Sequence, residues 1–309
     1  MGKLGAAEGP LINRLMRAAD LKHSVYVQIA GIALTAPAVL LLSLVVVVPF
    51  VTAVWWSFAP EPDSGLTLAG YRWIFDPSFF EAFKNSLYIG VGSVALELLV
   101  AIPAAILLNQ AIPGRGFCRA ALMLPWAVPT IAVAAAFLWL ANTNYGLFNQ
   151  LGLALGVLQA PIAFLGSPTL ALSSVTVAHA WKGLPLVFVI ILSALQSLPP
   201  ELMEAAKVDG AGMRSQFTHV VLPHLTPSIA LSGVLSGIYN FALFDITFLL
   251  TGGGPAGVTT TLPLLLYYQE FKALDTGRAA VVGISIFLAG LMALIALRWS
   301  PFDRKGAKA

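Results

Sequence analysis

Glu204-Ala205-Ala206-Lys207-Val208-Asp209-Gly210-Ala211, followed by Phe217 and by Leu222-Pro223, is a polar, helix-forming island between two long apolar runs. Charged side chains are costly inside a bilayer, so the island must lie outside it, at one membrane face. Its own punctuation is that of a compact hairpin. Pro199 and Pro200 suit a first helical turn, where a missing N–H costs little. Glu201 and Glu204 lie near the positive end of the helix dipole. Leu198, Leu202, Ala205 and Ala206 form a narrow stripe, and Gly210 can take the left-handed conformation that stops a helix. The spacing then predicts a second short helix with Phe217, Val220 and Val221 on one face, ended by Pro223. Small residues at Ala205, Ala206 and Gly210 let a partner backbone approach, so a rigid knob here could transmit a push. An ordinary re-entry hairpin that only stabilises its own chain is the competing reading.

Composition explains the apolar runs on either side. Of 309 residues, 58% are hydrophobic and only 10% charged, against roughly a quarter charged in soluble domains. Lipid must therefore be the solvent. A formal charge of +3 is too small to suggest nucleic acid. The lone Cys118 excludes an intrachain disulfide and any cysteine metal cluster.

A spanning helix needs roughly 20 apolar residues. Six segments qualify: 27–58, 85–109, 119–140, 170–197, 226–250 and 277–299. The first is too long for a signal peptide and carries Pro37 and Pro49, which are expected to kink it. Before it, Leu11 to Lys22 places Ile12, Leu15, Met16 and Ala19 at helical spacing, with Arg14, Arg17 and Lys22 elsewhere. That pattern suits either an amphipathic helix on an anionic leaflet or a solvated stub. With alternating spans, 12 of the 17 basic residues fall on one side, among them Arg115, Arg119, Lys207 and Arg214. The positive-inside rule puts both termini and the 198–227 loop in the cytoplasm. On the outer side, residues 59–84 are rich in aromatics, 141–169 carry no charge, and Thr251-Gly252-Gly253-Gly254-Pro255 reads as the turn that ends the fifth helix.

Taken together, Ser197-Leu198-Pro199-Pro200-Glu201, Glu204-Ala205-Ala206, Asp209-Gly210-Ala211, Phe217, Val220, Leu222-Pro223 and Pro227 form a much more specific pattern than Glu-Ala-Ala alone. It resembles the EAA loop of the permease subunits of carbohydrate ABC importers of the maltose type. Further matches are Asn85-Ser86, Leu124-Pro125, Gly146 with Asn149, and Leu250 through Pro255, so the likeness covers roughly residues 27–299. It implies an all-α integral membrane protein of the bacterial plasma (inner) membrane, with six helices in the type I (MetI-like) arrangement. Residues 1–26 and 300–309 would be cytoplasmic segments flanking a permease domain at 27–299. Implied partners are a second homologous permease, a dimer of ATP-binding subunits holding ATP and Mg, and an extracytoplasmic solute-binding protein. Glu204, Ala205, Ala206, Asp209, Gly210, Ala211, Leu222 and Pro223 would be the ATPase-docking residues. The extra N-terminal spans and large outer domain of the founding maltose-type subunit are missing, and their roles do not carry over.

The chain has no Gly-x-x-x-x-Gly-Lys-Ser/Thr phosphate loop, no His-Glu-x-x-His and no Gly-x-Ser-x-Gly. No catalytic constellation and no cofactor of its own are expected, so energy comes from another polypeptide or from an ion gradient. His219 and His224 read as structural rather than metal-binding. The alternative to an ABC permease is a secondary transporter or channel. It would be expected to show several coordinated acids, and only Glu97 and Asp245 lie deep. For Glu97 a hydrogen bond to a neighbouring helix is favoured over proton relay.

Ser236, Tyr239, Asn240 and Leu243 recur at helical spacing on the fifth span. A hydroxyl, a phenol and an amide suit a neutral, hydroxyl-rich ligand, while Ser and Asn equally serve as glue between membrane helices. The resemblance adds this face to the sugar site. It also points to Trp126 and Thr130 on the third span, and to Lys182, Gly183 and Leu186. Those three sit in Trp181-Lys182-Gly183-Leu184-Pro185, expected to be a broken stretch where a cavity needs irregular backbone. Lys182 departs from the usual apolar or small residue; snorkelling outward and meeting an acidic or polar ligand group both remain open. Trp126 is by default packing.

Overall fold

The computed structural model describes residues 8–59 and 65–299. The faces expected of the 11–22 segment, and the tail 300–309, lie outside the described side chains. By compactness the chain forms two units, Met1–Trp55 and Trp56–Ala309.

Most of the first unit is α1 (Glu8–Phe58), which runs through Pro37 and Pro49 as one helix. The second unit opens with a short α2 (Ala69–Arg72) and a tight turn at Trp73–Phe75. α3 (Pro77–Asn109) follows, starting eight residues before the expected 85. The reason is local: Asp76 accepts from the Ser78 amide at 2.8 Å, and Pro77 fills the first helical position. The stretch expected as the third span forms α4 (Arg115–Ala127) and α5 (Thr130–Leu140), bent by 101° between them. α6 (Leu147–Ala154) is a short helix in the uncharged 141–169 stretch.

α7 (Ala171–Gln196) is continuous. The break expected at Trp181–Pro185 is therefore absent; Pro185 is accommodated inside a helix buried along much of its length. α8 (Pro200–Val208) and α9 (Met213–Gln216) form the hairpin. Pro223 does not end the second arm. A π-helical turn at Phe217–Val221 leads directly into α10 (Leu222–Ala242), so the fifth span starts at Met213 and not at 226. The wider turn, with the Leu222 amide bonded to the Phe217 carbonyl, spares the overlap that Pro223 would make in a regular α-helix.

The fifth span also ends early. Leu243 is extended, and α11 (Asp245–Leu250) sets off separately, so the Gly-rich turn follows α11 rather than the long helix. Ile246 and Leu250 bury with Ile89, Ala134, Val175 and Ala178. α12 (Leu262–Phe271), too short to register as a span, packs Leu262 and Leu265 against Phe79, Ala82 and Val282. α13 (Thr276–Trp299) closes the described chain. Among the described residues, five helices are long and apolar enough to cross a membrane, six when α4–α5 counts as one span.

At the end of the bundle nearest the 251–261 turn, polar side chains join the helices. Asn85 donates to the Thr260 carbonyl at 2.9 Å, and the Leu262 amide donates to Ser86 Oγ at 2.8 Å. In the turn itself, Gly252 and Gly253 have φ of +54° and +87°, and Tyr268 donates to the Gly252 carbonyl at 2.6 Å. Lipid tails are as apolar as leucine, so such bonds and close packing hold membrane helices together more than hydrophobic burial does.

Candidate functional site

The knob at 198–227 is built by its backbone. The Ala211 amide bonds the Ala206 carbonyl at 2.9 Å, and the Gly210 amide bonds the Lys207 carbonyl at 3.0 Å, with Gly210 at φ +75°. This double closure satisfies the last carbonyls of α8 and demands a left-handed residue. Gln216 Nε2 donates to the Ala211 carbonyl at 2.6 Å and fixes the second arm. His224, at the start of α10, donates from Nε2 to the Ala194 carbonyl at 3.0 Å, pinning it to the last turn of α7. Sequence reasoning took His224 as structural but did not find this partner; a histidine 14 residues after a helix-ending Gly has no signature of its own. His219 is likewise held locally, by Ser215 and Thr218. Glu204, Ala205, Asp209 and Gly210 are exposed, as are Leu222 and Pro223 on α10, while Ala206 and Ala211 are half-buried. At the tip, Val208 and Met213 are 87% and 88% exposed, apolar side chains left open among the described residues.

The candidate solute residues divide into two groups that meet on α7. The first surrounds Glu97 of α3, which is 1% exposed. Its carboxylate accepts from Ser236 Oγ and, at 2.9 Å, from Asn240 Nδ2. Gly183 lies against it with no room for a side chain, since an added Cβ would overlap Glu97 Oε1. Ser236, Asn240 and Gly183 are buried together as interhelical glue joining α3, α7 and α10. Glu97, which had no visible mate in the sequence, is the centre of the group.

The four residues expected on one face of the fifth span are thereby divided. Ser236 and Asn240 are buried, Leu243 is half-buried and Tyr239 is 42% exposed. At about 100° per residue the four span a broad arc, and its two edges meet different surroundings. One turn before Lys182, the buried His179 bonds Thr247 of α11 at 3.1 Å.

The second group is the bend between α4 and α5. Lys182 neither snorkels nor waits for an acid: its Nζ donates to the Pro125 carbonyl at 2.8 Å and the Val128 carbonyl at 2.7 Å. Trp126, 53% exposed, and the half-buried Thr130 flank the same bend, and the half-buried Leu186 lies one turn along α7 from Lys182. The irregular backbone expected in the fourth span is thus in the third, at Val128–Pro129, and in the fifth, at Leu243–Phe244.

A cleft of about 870 Å³ with a mixed lining opens at the opposite end of α7 from the knob, its polar side chains including Asn85, Tyr88, Thr169, Ser173, Tyr268 and Gln269. Among the described residues no three His, Cys, Asp or Glu side chains converge as a metal site would require.

Residues 97–301 match the model of the binding-protein-dependent transport system inner membrane component. The chain belongs to this family. The permease is 38% identical over 196 residues to the trehalose/maltose transport system permease protein MalF of Thermococcus litoralis, covering 63% of this chain and 65% of that one. It is 32% identical over 267 residues to the sulfoquinovosyl glycerol transport system permease protein SmoG of Agrobacterium fabrum, covering 84% and 86%. A solved bacterial alginate ABC transporter, in complex with its alginate pentasaccharide-bound periplasmic protein, contains a chain of the same fold. It superposes with a TM-score of 0.74 at 20% identity over 91% of this chain and 95% of that one. The protein is a multi-pass membrane permease subunit of the ABC importer type, a transport component without catalysis of its own.

Proposed function

We propose that this permease forms half of the pathway of an ATP-driven importer for a sugar or related polyhydroxy solute. A second homologous permease forms the other half. A dimer of ATPase subunits, binding ATP and Mg²⁺, docks on the two loops, and an extracytoplasmic solute-binding protein delivers the solute. The excess of basic residues on that side supports a cytoplasmic position for the termini and the knob. Support for a polyhydroxy solute comes from relatives named for trehalose/maltose and for multiple sugars. Of the solute-facing candidates, Trp126 and Tyr239 are exposed and Thr130, Leu186 and Leu243 are partly exposed; Lys182, Gly183, Ser236 and Asn240 act behind them.

The observation that carries this reading is the construction of the knob. Its tip exposes Val208 and Met213 beside small residues, while its base is tied to α7 through His224 and runs into α10 without a loop. A force applied at the tip reaches two long helices directly. An ion-driven carrier has no use for such a lever, and Glu97, already bonded to Ser236 and Asn240, is poorly placed for a proton relay.

The test is copurification and uptake. Tagged permease solubilised from membranes should bring down an ATPase subunit, and Gly210→Val, which forces a branched side chain into φ +75°, should release it. Retention of the ATPase by that variant, or uphill uptake by the permease alone on an ion gradient, would overturn the reading.

A further inference from the structure

Why should a chain this apolar keep a lysine buried in its fourth span? The bend in the third span supplies the reason. In an unbroken helix the Pro125 carbonyl would accept from the amide of residue 129, but residue 129 is proline and has no N–H. The Val128 carbonyl is also left open, because Val128 is extended with ψ of 128° and the next helix begins afresh at Thr130. Two bare carbonyls at membrane depth are among the most costly groups a bilayer protein can hold. Lys182 Nζ reaches both, at 2.8 and 2.7 Å. The ammonium also sits at the C-terminal, negative end of the α4 dipole, which favours a cation.

Lys182 is placed to do more than fill a gap. Its neighbour Gly183 packs on Glu97, which holds α3 and α10, while His179 holds α11. One turn of α7 thus touches every other element of the candidate pathway, and the same helix ends at the knob. We infer that Lys182 is a positioning residue. It keeps the third span bent and makes the α4–α5 elbow travel with α7, so that Trp126 and Thr130 move when the knob is pushed. The travelling part rests on the importer reading above; the bend does not.

The bend can be read as a distance. Nitroxides on the native Cys118 of α4, which is exposed, and on Leu138→Cys of α5 bracket the elbow by ten residues on either side. At 1.5 Å rise per residue a straight helix would separate the two Cα atoms by about 30 Å. With each arm about 15 Å long and a 101° bend, the separation falls to about 19 Å. A second pair, Cys118 with Val189→Cys on α7, reports whether elbow and α7 move together. Both are measured by double electron–electron resonance in the purified complex with cysteine-free partner subunits, without nucleotide and trapped with ATP and vanadate.

Unsubstituted at Lys182, the complex should show the short distance in the first pair and an unchanged distance in the second across both states. Lys182→Met should lengthen and broaden the first and let the second vary with nucleotide. Lys182→Met combined with Pro129→Ala restores an N–H for the Pro125 carbonyl, and should give a narrow distribution near 30 Å with the ATPase still bound. If Lys182→Met alone fails to accumulate, recovery of expression by Pro129→Ala supports the inference and failure to recover counts against it. A Lys182→Met complex with both distances as in the parent would overturn it. A complex from which no ATPase copurifies would refute the importer reading instead, while the first pair would still report the bend.

Discussion

Consider replacing Gly183 with alanine. The added methyl would overlap Glu97 Oε1 and lie 2.9 Å from Glu97 Cδ, so the carboxylate must move. Moving it forfeits the bonds from Ser236 and Asn240. Interhelical hydrogen bonds in membranes contribute about 0.6 kcal/mol on average and up to about 1.7. Forcing an extra carbon into a packed core costs about 1–3 kcal/mol. Gly183→Ala should therefore destabilise the permease by about 2–4 kcal/mol. In a Glu97→Ala background the obstacle is gone. The next atom the methyl meets is Asn240 Nδ2 at 3.4 Å, and the same substitution should cost under about 1 kcal/mol. The cycle thus yields a coupling of about 2 kcal/mol, within the range for side chains in direct contact. Titration of the purified permease with sodium dodecyl sulfate, followed by tryptophan fluorescence, measures the four stabilities. Equal costs of Gly183→Ala with and without the Glu97 carboxylate would refute the packing of that carboxylate on α7.

Two further substitutions test the segments at the end of the bundle away from the knob. Asn149, 1% exposed, donates to the carbonyls of Ile162, Thr143 and Asn142 and accepts from the Ile162 amide at 2.8 Å. Asn149→Ala should loosen the 141–169 segment by about 2–3 kcal/mol, seen as faster amide exchange and proteolysis there with the spans unchanged. At the head of α3, bonds from the Ser78 hydroxyl and amide hold the Asp76 carboxyl below its ordinary value of 3.8. Its support for the first turn is therefore complete above pH 3.8 and fades as pH falls through the lowered value. Amide exchange at Ser78 should follow that profile, and Asp76→Asn, which keeps an acceptor oxygen, should flatten it.

Much of this was legible in the chain because it rests on local rules. Six apolar runs announce themselves by length, and Gly210 announces the end of α8 because only a left-handed residue closes that turn. The early start of α3 was also written in Asp76-Pro77-Ser78, a cap and a first-turn proline, although hydropathy alone placed it at 85. Prolines proved less reliable. Pro129 sits at a break, Pro185 lies within an intact helix, and Pro223 follows a π turn. A missing N–H is a local fact, whereas the carbonyl it strands can be satisfied by a lysine 57 residues away, as Pro125 is.

Sequence by itself determined that this chain lives in lipid, that several of its stretches are long and apolar enough to cross it, and that a polar hairpin with a glycine stop interrupts them. These follow from solvent preference and backbone conformation, which each residue carries with it. Only the tertiary structure decided that Glu97 belongs with Ser236, Asn240 and Gly183, that Lys182 serves the bend of another span, and that His224 fastens the hairpin to α7. In a bilayer a buried polar atom must find its partner within the protein, and which helix provides it depends on how the helices pack.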